Sequence, residues 1–386
     1  MFTIRTAALL FLPFASAGAQ ARTFIARLGA DTVAVERVVA SGNVVTGEVV
    51  RHTPSTTVLR YSLTRNTDGS VSKYEEGIYL ADGRPAPATP QGVSQQGMRM
   101  TFVGDSVVRE LTRNGQPLVL RNAAPGVTIP AIGGTSPFWQ EVALNESRRR
   151  HASEFNWYGW SAAQDAPNVT GVSFMGRDSA EFLLNQGFRR GFRLDRDGHL
   201  LHGDATNTTV RLQITPVYDA DLGGIASAWA ANEVAGKGMG VPSARDSIAA
   251  RVGEANVKVA YGRPSRRGRE IWGKLVPFDT VWRMGANFPT IITVDHTIQV
   301  GSAPIVAGRY SLWLVPGRDG GTLLVNRQVD GWVGVPMHDA AQDLASIPMK
   351  REGVRQREER LVIAVEGGRL SVTWDDTRYA VAVTTP

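Results

Sequence analysis

The sequence of 386 residues contains no cysteine. This absence excludes disulfide bonds and thiolate metal sites. It also excludes a lipid anchor of the bacterial lipoprotein type, which needs a cysteine at the point of signal cleavage. The stability of the fold must therefore come from burial of its core.

The sequence also lacks several short motifs that mark catalytic sites. It has no Gly-x-Ser-x-Gly elbow, no His-Glu-x-x-His zinc motif, no Walker loop and no dinucleotide fingerprint. We therefore expect no cofactor. Whether the protein is an enzyme stays open at this point.

Basic residues are numerous but are not arranged for nucleic-acid binding. The formal net charge is +6, and only five of the 42 basic residues are lysine. Most stand singly, and the densest runs are residues 148–150 and 263–269. Because no patch interleaves basic and aromatic residues along a helix, we expect no nucleic-acid partner.

The N-terminus has the pattern of an export signal. Arg5 precedes an apolar run over residues 7–15, and small residues follow. This pattern predicts a signal peptide over residues 1–21, cleaved after Ala19 or Ala21. The run is too short to span a bilayer, and no later segment reaches the ~18 apolar residues that a spanning helix needs. We expect a periplasmic or secreted protein, peripheral to the membrane at most.

Residues 22–222 are predicted to form an N-terminal β-rich domain. Leu59, Tyr61 and Leu63 alternate with polar residues, as in a half-buried strand, and a turn follows at residues 66–69. Similar short alternations continue along this region. They predict an antiparallel meander, and its architecture is similar to the open half-barrels of periplasmic lipid or lipoprotein carriers.

One helix interrupts this meander. Ser136 followed by Pro137 has the residue types of an N-cap and a first helical position. Phe138 and Val142 fall on one face of the segment that follows. The arginines at 148–150 come at its C-terminal end, where cations complement the helix dipole.

The chain then changes character. Residues 223–254 are rich in alanine and glycine, which predicts a connection with short helices, one of them begun by a Ser243–Asp246 capping box. Residues 255–386 return to short alternations such as Tyr310, Leu312 and Leu314. About eight such strands predict a C-terminal β-sandwich or jelly roll.

Residues 245–386 resemble a bacterial family known as domain of unknown function 2911. The resemblance is carried by four motifs: Tyr261, Arg263 and Pro264; residues 268–273, a Gly-Arg-x-hydrophobic-aromatic-Gly segment; residues 282–287, Trp-Arg-x-Gly-Ala-Asn; and residues 307–312, Ala-Gly-x-Tyr-Ser-Leu. It implies an exported β-domain with no known activity. The family pattern has an acidic residue where this sequence has Phe288, and a Tyr-Asp pair where it has His338 and Asp339.

The segment from Trp282 to Thr290 has two interpretations. In the first it is a corner between strands, in which Trp282 enters the core, Gly285 supplies a positive φ and Asn287 closes a turn. In the second, Arg283 and Asn287 project into a cleft and bind an anion or a sugar hydroxyl.

Other candidate positions are weaker. Trp332 stands in a turn-like stretch, where its ring can stack on a ligand. If residues 337–344 are helical, Asp339 and Asp343 share a face that could hold a cation. His199 and His202 lie three apart in a strand-like segment and so face opposite sides, which argues against a shared metal. We predict no metal site.

These observations predict a mainly β, exported envelope protein of unknown function. The favoured hypothesis is a non-catalytic protein that binds a small molecule or an envelope partner through Arg283, Asn287, Trp332 and Asp343. The alternative is a hydrolase-like enzyme with a site near Arg283, Asn287 and Asp343.

Overall fold

The computed structural model describes residues 20–89, 92–132, 136–159, 164–183, 189–205, 212–329 and 338–386. These residues form two antiparallel-rich sheets and two α-helices. The mainly β class, with an N-terminal meander and a C-terminal β-domain, is confirmed. Neither helix in the described ranges is long and apolar enough to cross a membrane.

Fifteen strands and one helix, α1 (Pro137–Arg149), make up the N-terminal sheet and its interior. The strands are β1 (Gln20–Leu28), β2 (Asp31–Ser41), β3 (Val44–Arg51), β4 (Thr57–Arg65), β5 (Val71–Tyr79), β6 (Met98–Val103), β7 (Ser106–Arg113), β8 (Gln116–Ala123), β9 (Thr128–Pro130), β10 (Glu154–Tyr158), β11 (Asn168–Phe174), β12 (Ser179–Leu183), β13 (Arg189–Leu194), β14 (Leu200–Asp204) and β15 (Leu212–Val217).

The N-terminal sheet curls so that its two ends approach each other. Its strand order runs from β8 back to β1, then from β15 back to β9. The two end strands, β8 and β9, are consecutive in the chain and are joined by residues 124–127 alone. Side chains bridge this seam, since Arg109 Nη1 donates to Gly159 O at 3.2 Å and Tyr158 Oη to Ala123 O at 2.9 Å.

Helix α1 lies inside this curl. Ser136 is its N-cap and accepts from Trp139 N at 3.1 Å, with Pro137 in the first turn, as the sequence predicts. The rings of Trp139 and Phe182 on β12 meet edge to face, and Phe138 stacks on Tyr61 of β4. The helix therefore packs on strands from both halves of the sheet, β1–β8 and β9–β15.

A buried carboxylate on the sheet holds the first turn of α1. Glu36 of β2 is fully buried and accepts from Ser136 Oγ at 2.8 Å, Tyr61 Oη at 2.8 Å and Phe138 N at 2.9 Å. Burial raises the pKa of Glu36 to about 7, against these hydrogen bonds, which lower it. The carboxyl of Glu36 is thus the acceptor for the helix N-terminus.

A second carboxylate, on the helix itself, ties the next turn to the sheet. Arg22 donates to both oxygens of Glu141, at 2.6 and 2.7 Å, and Leu200 N donates at 2.8 Å. His199 Nδ1 lies 3.4 Å away. Burial acts to raise the pKa of Glu141, but the bonds from His199 and Arg22 outweigh it, so that this pKa is lowered.

The second helix, α2 (Leu222–Val234), packs on the outer face of the sheet. Leu222 and Ala226 contact Val35 and Val50 there. The ring of Trp229 stacks on His52 with 4.4 Å between centroids.

The helix predicted at Ser243 is wrong. The capping-box residues Ser243 and Asp246 belong to a strand, β16 (Ser243–Val252), which pairs along its whole length with β17 (Ala255–Pro264). Strand pairing overrides the local capping preference, and the alanine-rich composition hides the alternation.

The C-terminal sheet has nine strands rather than about eight short ones. The others are β18 (Thr290–Val294), β19 (Ile298–Val300), β20 (Ala303–Ile305), β21 (Gly308–Pro316), β22 (Gly320–Asn326), β23 (Asp343–Glu366) and β24 (Arg369–Thr384). Their order is β16-β17-β18-β21-β22-β23-β24-β19-β20.

This sheet folds back on itself around one core. The first part of β23 pairs with β22, whereas its later part reaches β17, where Arg263 Nε donates to Leu361 O at 3.1 Å. Val259, Leu312 and Ile363 therefore share a single buried cluster. The sequence alternations on β21 and β24 supply nine of its apolar side chains.

The two sheets touch at the turn between β1 and β2. Ala30 N donates to Arg267 O at 3.1 Å, and the guanidinium of Arg267 pairs with Asp31.

The buried carboxylate makes the stability of the protein pH-dependent. The folded-state pKa of Glu36, about 7, lies above its ordinary value of 4.5. Folding is therefore favoured most by this group below pH 4.5, and the contribution is lost as pH rises towards 7. For the full shift this is about 3 kcal/mol. We predict that Glu36→Gln removes this fall. Urea unfolding at pH 5 and pH 8 should show a change about 2 kcal/mol smaller in the variant. Equal changes in the two proteins would contradict this assignment.

Candidate functional site

The segment from Trp282 to Thr290 is a corner packed against β17. Trp282 is buried and stacks on Trp374 with 6.1 Å between ring centroids. Arg283 Nη1 donates to Asn287 O at 3.1 Å, and Asn287 Nδ2 to Ser243 O at 3.3 Å. Burial lowers the pKa of Arg283. The structure brings Arg283 and Asn287 together, and both engage backbone carbonyls.

Glycine is needed at this corner for space and not for a positive φ. Positive φ angles occur at Met284 (53°) and Asn287 (67°), not at Gly285. The backbones of Gly285 and Gly262 approach closely, and a Cβ on Gly262 would lie 1.9 Å from Ala286 O. Our expectation of a positive φ at Gly285 was therefore wrong, although the corner itself is present.

Asp343 lies elsewhere, at the start of β23. Its Oδ1 accepts from Asn326 Nδ2 at 2.9 Å and lies 2.7 Å from His338 Nε2. The condition that residues 337–344 are helical is not met, since the described residues there form one 3-10 turn at Ala340–Gln342, capped by Asp339. Asp339 and Asp343 therefore do not share a helical face.

These candidates do not form one site. In the described part of the chain Asp343 contacts neither Arg283 nor Asn287. Trp332 lies outside the described residues. The described residues also contain no group of three or more His, Asp or Glu side chains that could hold a metal ion.

A Ser-x-x-Lys spacing, which can mark a serine nucleophile, occurs at Ser70 and Lys73. Here it spans a turn and the first residues of β5. Ser70 Oγ donates to Asp68 at 2.6 Å, whereas Lys73 Nζ pairs with Glu75 at 3.1 Å. The hydroxyl and the amine thus have separate partners.

An open groove lies at the C-terminal end of α1 and is a further candidate site. It has a volume of about 520 Å³, within the ~300–1,000 Å³ typical of small-molecule sites. Its lining comes from the end of α1, the turn after it, β11 and the turn that follows: Arg148, His151, Ala152, Ser153, Val172, Ser173, Phe174, Gly176 and Arg177. We call it the Arg148 groove.

Local hydrogen bonds hold the walls of the Arg148 groove in place. His151, with a φ of 51°, ends the helix, and Ala152 N donates to Ser147 O at 2.9 Å. Val172 N donates to Ser153 O at 2.7 Å, which joins the turn to β11. The walls are therefore continuous with the N-terminal sheet.

The three arginines at the end of α1 have different surroundings. Arg149 pairs with Glu146 at 2.5 Å, and Arg150 Nη1 donates to Gly126 O at 3.1 Å. The Arg148 guanidinium lies over the Phe174 ring, 4.7 Å from its centroid. Its Nη2 is buried and has no hydrogen-bond partner within the described ranges.

All three arginines were predicted to have the same role, which is to complement the helix dipole with their positive charge. The run itself was visible, but the position of Arg148 over Phe174 was not. Only the fold brings the end of α1 against the end of β11.

The C-terminal sheet is similar to a known protein family. Residues 243–383 match the family described as protein of unknown function, DUF2911. The predicted resemblance is thus confirmed. The matched region begins at β16, and it contains the corner and Asp343 but not the Arg148 groove. No curated protein matches the chain.

The solved structures that are similar to this chain include the following two. A DUF1089 family protein from Pseudomonas aeruginosa has 11% identity and a TM-score of 0.31, over 45% of this chain and 90% of that one. A beta-barrel-like protein of domain of unknown function DUF1849 from Brucella abortus has 12% identity and a TM-score of 0.28, over 52% and 98%.

The close approach of the Gly262 backbone to Ala286 O predicts that a side chain at position 262 destabilises the protein. Gly262→Ala should lower the free energy of unfolding by about 2–4 kcal/mol, because the new Cβ forces the backbone at Ala286 to move. Gly353→Ala is the matched control, since a Cβ there meets nothing within 4 Å. Thermal and urea unfolding of the full chain would measure both variants. A Gly262→Ala protein as stable as the control would contradict the packing described here.

Proposed function

We propose that the protein is an exported, non-catalytic binding protein and that its ligand occupies the Arg148 groove. The observation that carries the proposal is the guanidinium of Arg148, which lies in the groove over Phe174 with no carboxylate partner in the described chain. A cation of this kind on an apolar wall favours an anionic ligand with apolar surface.

The charge around the Arg148 groove supports this ligand. Its basic side chains are Arg148, His151 and Arg177, and no acidic side chain of the described residues lines it. No ion pair links any of the three to an acid within the described ranges, whereas Arg149 beside them is paired with Glu146. Within the described chain, the guanidinium groups of Arg148 and Arg177 therefore have no acidic partner.

A hydrolase-like enzyme near Arg283, Asn287 and Asp343 has less support. Arg283 and Asn287 donate to backbone carbonyls that shape the corner. Asp343 is held by Asn326 and His338 in a separate part of the sheet. A catalytic site needs its groups to converge on one reacting atom.

Binding of an anionic aromatic dye tests the groove. We expect the full chain to bind anilinonaphthalene sulfonate, with fluorescence enhancement that saturates at one site. Arg148→Ala should weaken this binding about tenfold, because a charge-assisted contact of roughly 1.5 kcal/mol is lost. Arg150→Ala removes the same charge from the same helix end outside the groove, and it should leave the affinity within about twofold. Equal effects of the two variants would argue against the groove.

The export half of the proposal rests on the N-terminal pattern. Cleavage after Ala19 or Ala21 leaves the strand from Thr23 to Leu28 intact, and that strand pairs with both β2 and β15. Mass spectrometry of the protein from the cell envelope or medium of an expressing bacterium should give a chain that begins at Gln20 or Arg22. A chain retained in the cytoplasm with residues 1–19 attached would contradict export.

A further inference from the structure

We propose that the Arg148 groove binds an organic monocarboxylate with an unbranched apolar tail, its carboxylate on Arg148 and its tail along Ala152 and Phe174. This inference rests on the proposed function and narrows the ligand from any anion to one chemical class. It follows from the orientation of the Arg148 guanidinium and from the apolar side chains that line the groove.

The guanidinium of Arg148 is oriented for a planar acceptor. One of its faces is used by Phe174, whose ring centroid lies 4.7 Å away. A stacked guanidinium keeps its N–H edges for acceptors that approach in its own plane. Because Nη2 is buried, a ligand carboxylate would accept a charge-assisted hydrogen bond from Nη1 or Nε.

The rest of the groove favours an apolar tail. Phe174 and Ala152 line it and are only partly buried, whereas the side chain of Val172 is buried in the core behind them. An inorganic anion would leave these surfaces in water, whereas an alkyl chain would cover them.

The remaining basic groups set the position of the head. Arg177 and His151 line the same groove as Arg148. Arg177 adds positive charge to the groove, and no carboxylate of the described residues lines it. A tail that carried a positive charge would be repelled, so we expect discrimination against zwitterionic chains.

A chain-length series measured by titration calorimetry tests the inference on the full-length protein. The probes are acetate, butanoate, hexanoate and octanoate, each kept below micelle formation. A fully buried methylene contributes about fourfold in affinity, so a chain in an open groove should gain about twofold per methylene. From butanoate to octanoate this predicts a rise of roughly 16-fold.

Head-group controls need no variant. Octyl glucoside has the same chain without charge, and octylamine carries the opposite charge. Both should bind at least tenfold more weakly than octanoate, as a charge-assisted contact of roughly 1.5 kcal/mol requires. Octyl phosphate separates a carboxylate site from a general anion site, and it should bind no more tightly than octanoate. Tighter binding of octyl phosphate would overturn the carboxylate assignment.

The variants then locate the site. Arg148→Ala should reduce octanoate affinity about tenfold, whereas Arg150→Ala should change it by less than twofold. Phe174→Leu keeps an apolar side chain but removes the ring that stacks on Arg148. It should lower the affinity for octanoate, whereas the gain in affinity per methylene should change less. Affinity that does not depend on chain length would overturn this inference, even if the dye still binds through Arg148. If neither dye nor carboxylate binds, the proposed function itself fails.

Discussion

The hydrogen bonds of Glu36 to the first turn of α1 are the contact on which the N-terminal half depends. A sheet of fifteen strands can curl around a helix only if the polar end of that helix is satisfied inside the curl. Ser136 Oγ, Tyr61 Oη and Phe138 N all donate to this one carboxylate. The cost is a buried acid, and it is visible in the raised pKa of Glu36.

Fixing the first turns of α1 also fixes where the helix ends. Glu141 is tied to Arg22 and Leu200, so the middle of α1 cannot slide along the sheet. Its last turn therefore presents Arg148 to Phe174 at the edge of β11. The Arg148 groove thus depends on the packing of α1. The helix that contributes Phe138 and Val142 to the core also places Arg148 against Phe174.

The C-terminal sheet follows a different rule, in which backbone contacts shape the conspicuous motif. The polar residues around Gly285 suggest a binding or catalytic site. Arg283 and Asn287 instead donate hydrogen bonds to backbone carbonyls. Gly262 and Gly285 let two backbones come together. Conspicuous residues in the DUF2911-matched region thus have a structural explanation, whereas the candidate binding groove lies outside it.

Much of the fold could be predicted from the sequence because it depends on local patterns. The alternation of Leu59, Tyr61 and Leu63, and the cap at Ser136, each describe contacts within or between near neighbours. Strand β16 was missed because alanines mask its alternation, and its strand state depends on pairing with β17.

The Arg148 groove could not be predicted for a related reason. Arg148 and Phe174 belong to different elements, and nothing local in either segment signals the other. Only the packing of α1 within the curl brings them together.

A crystal structure of the full chain with octanoate would test the central claim most directly. The account predicts a carboxylate within hydrogen-bond distance of the Arg148 guanidinium, an alkyl chain along Phe174, and α1 still capped by Glu36. An empty groove with Arg148 turned onto a carboxylate of the protein itself would contradict the account.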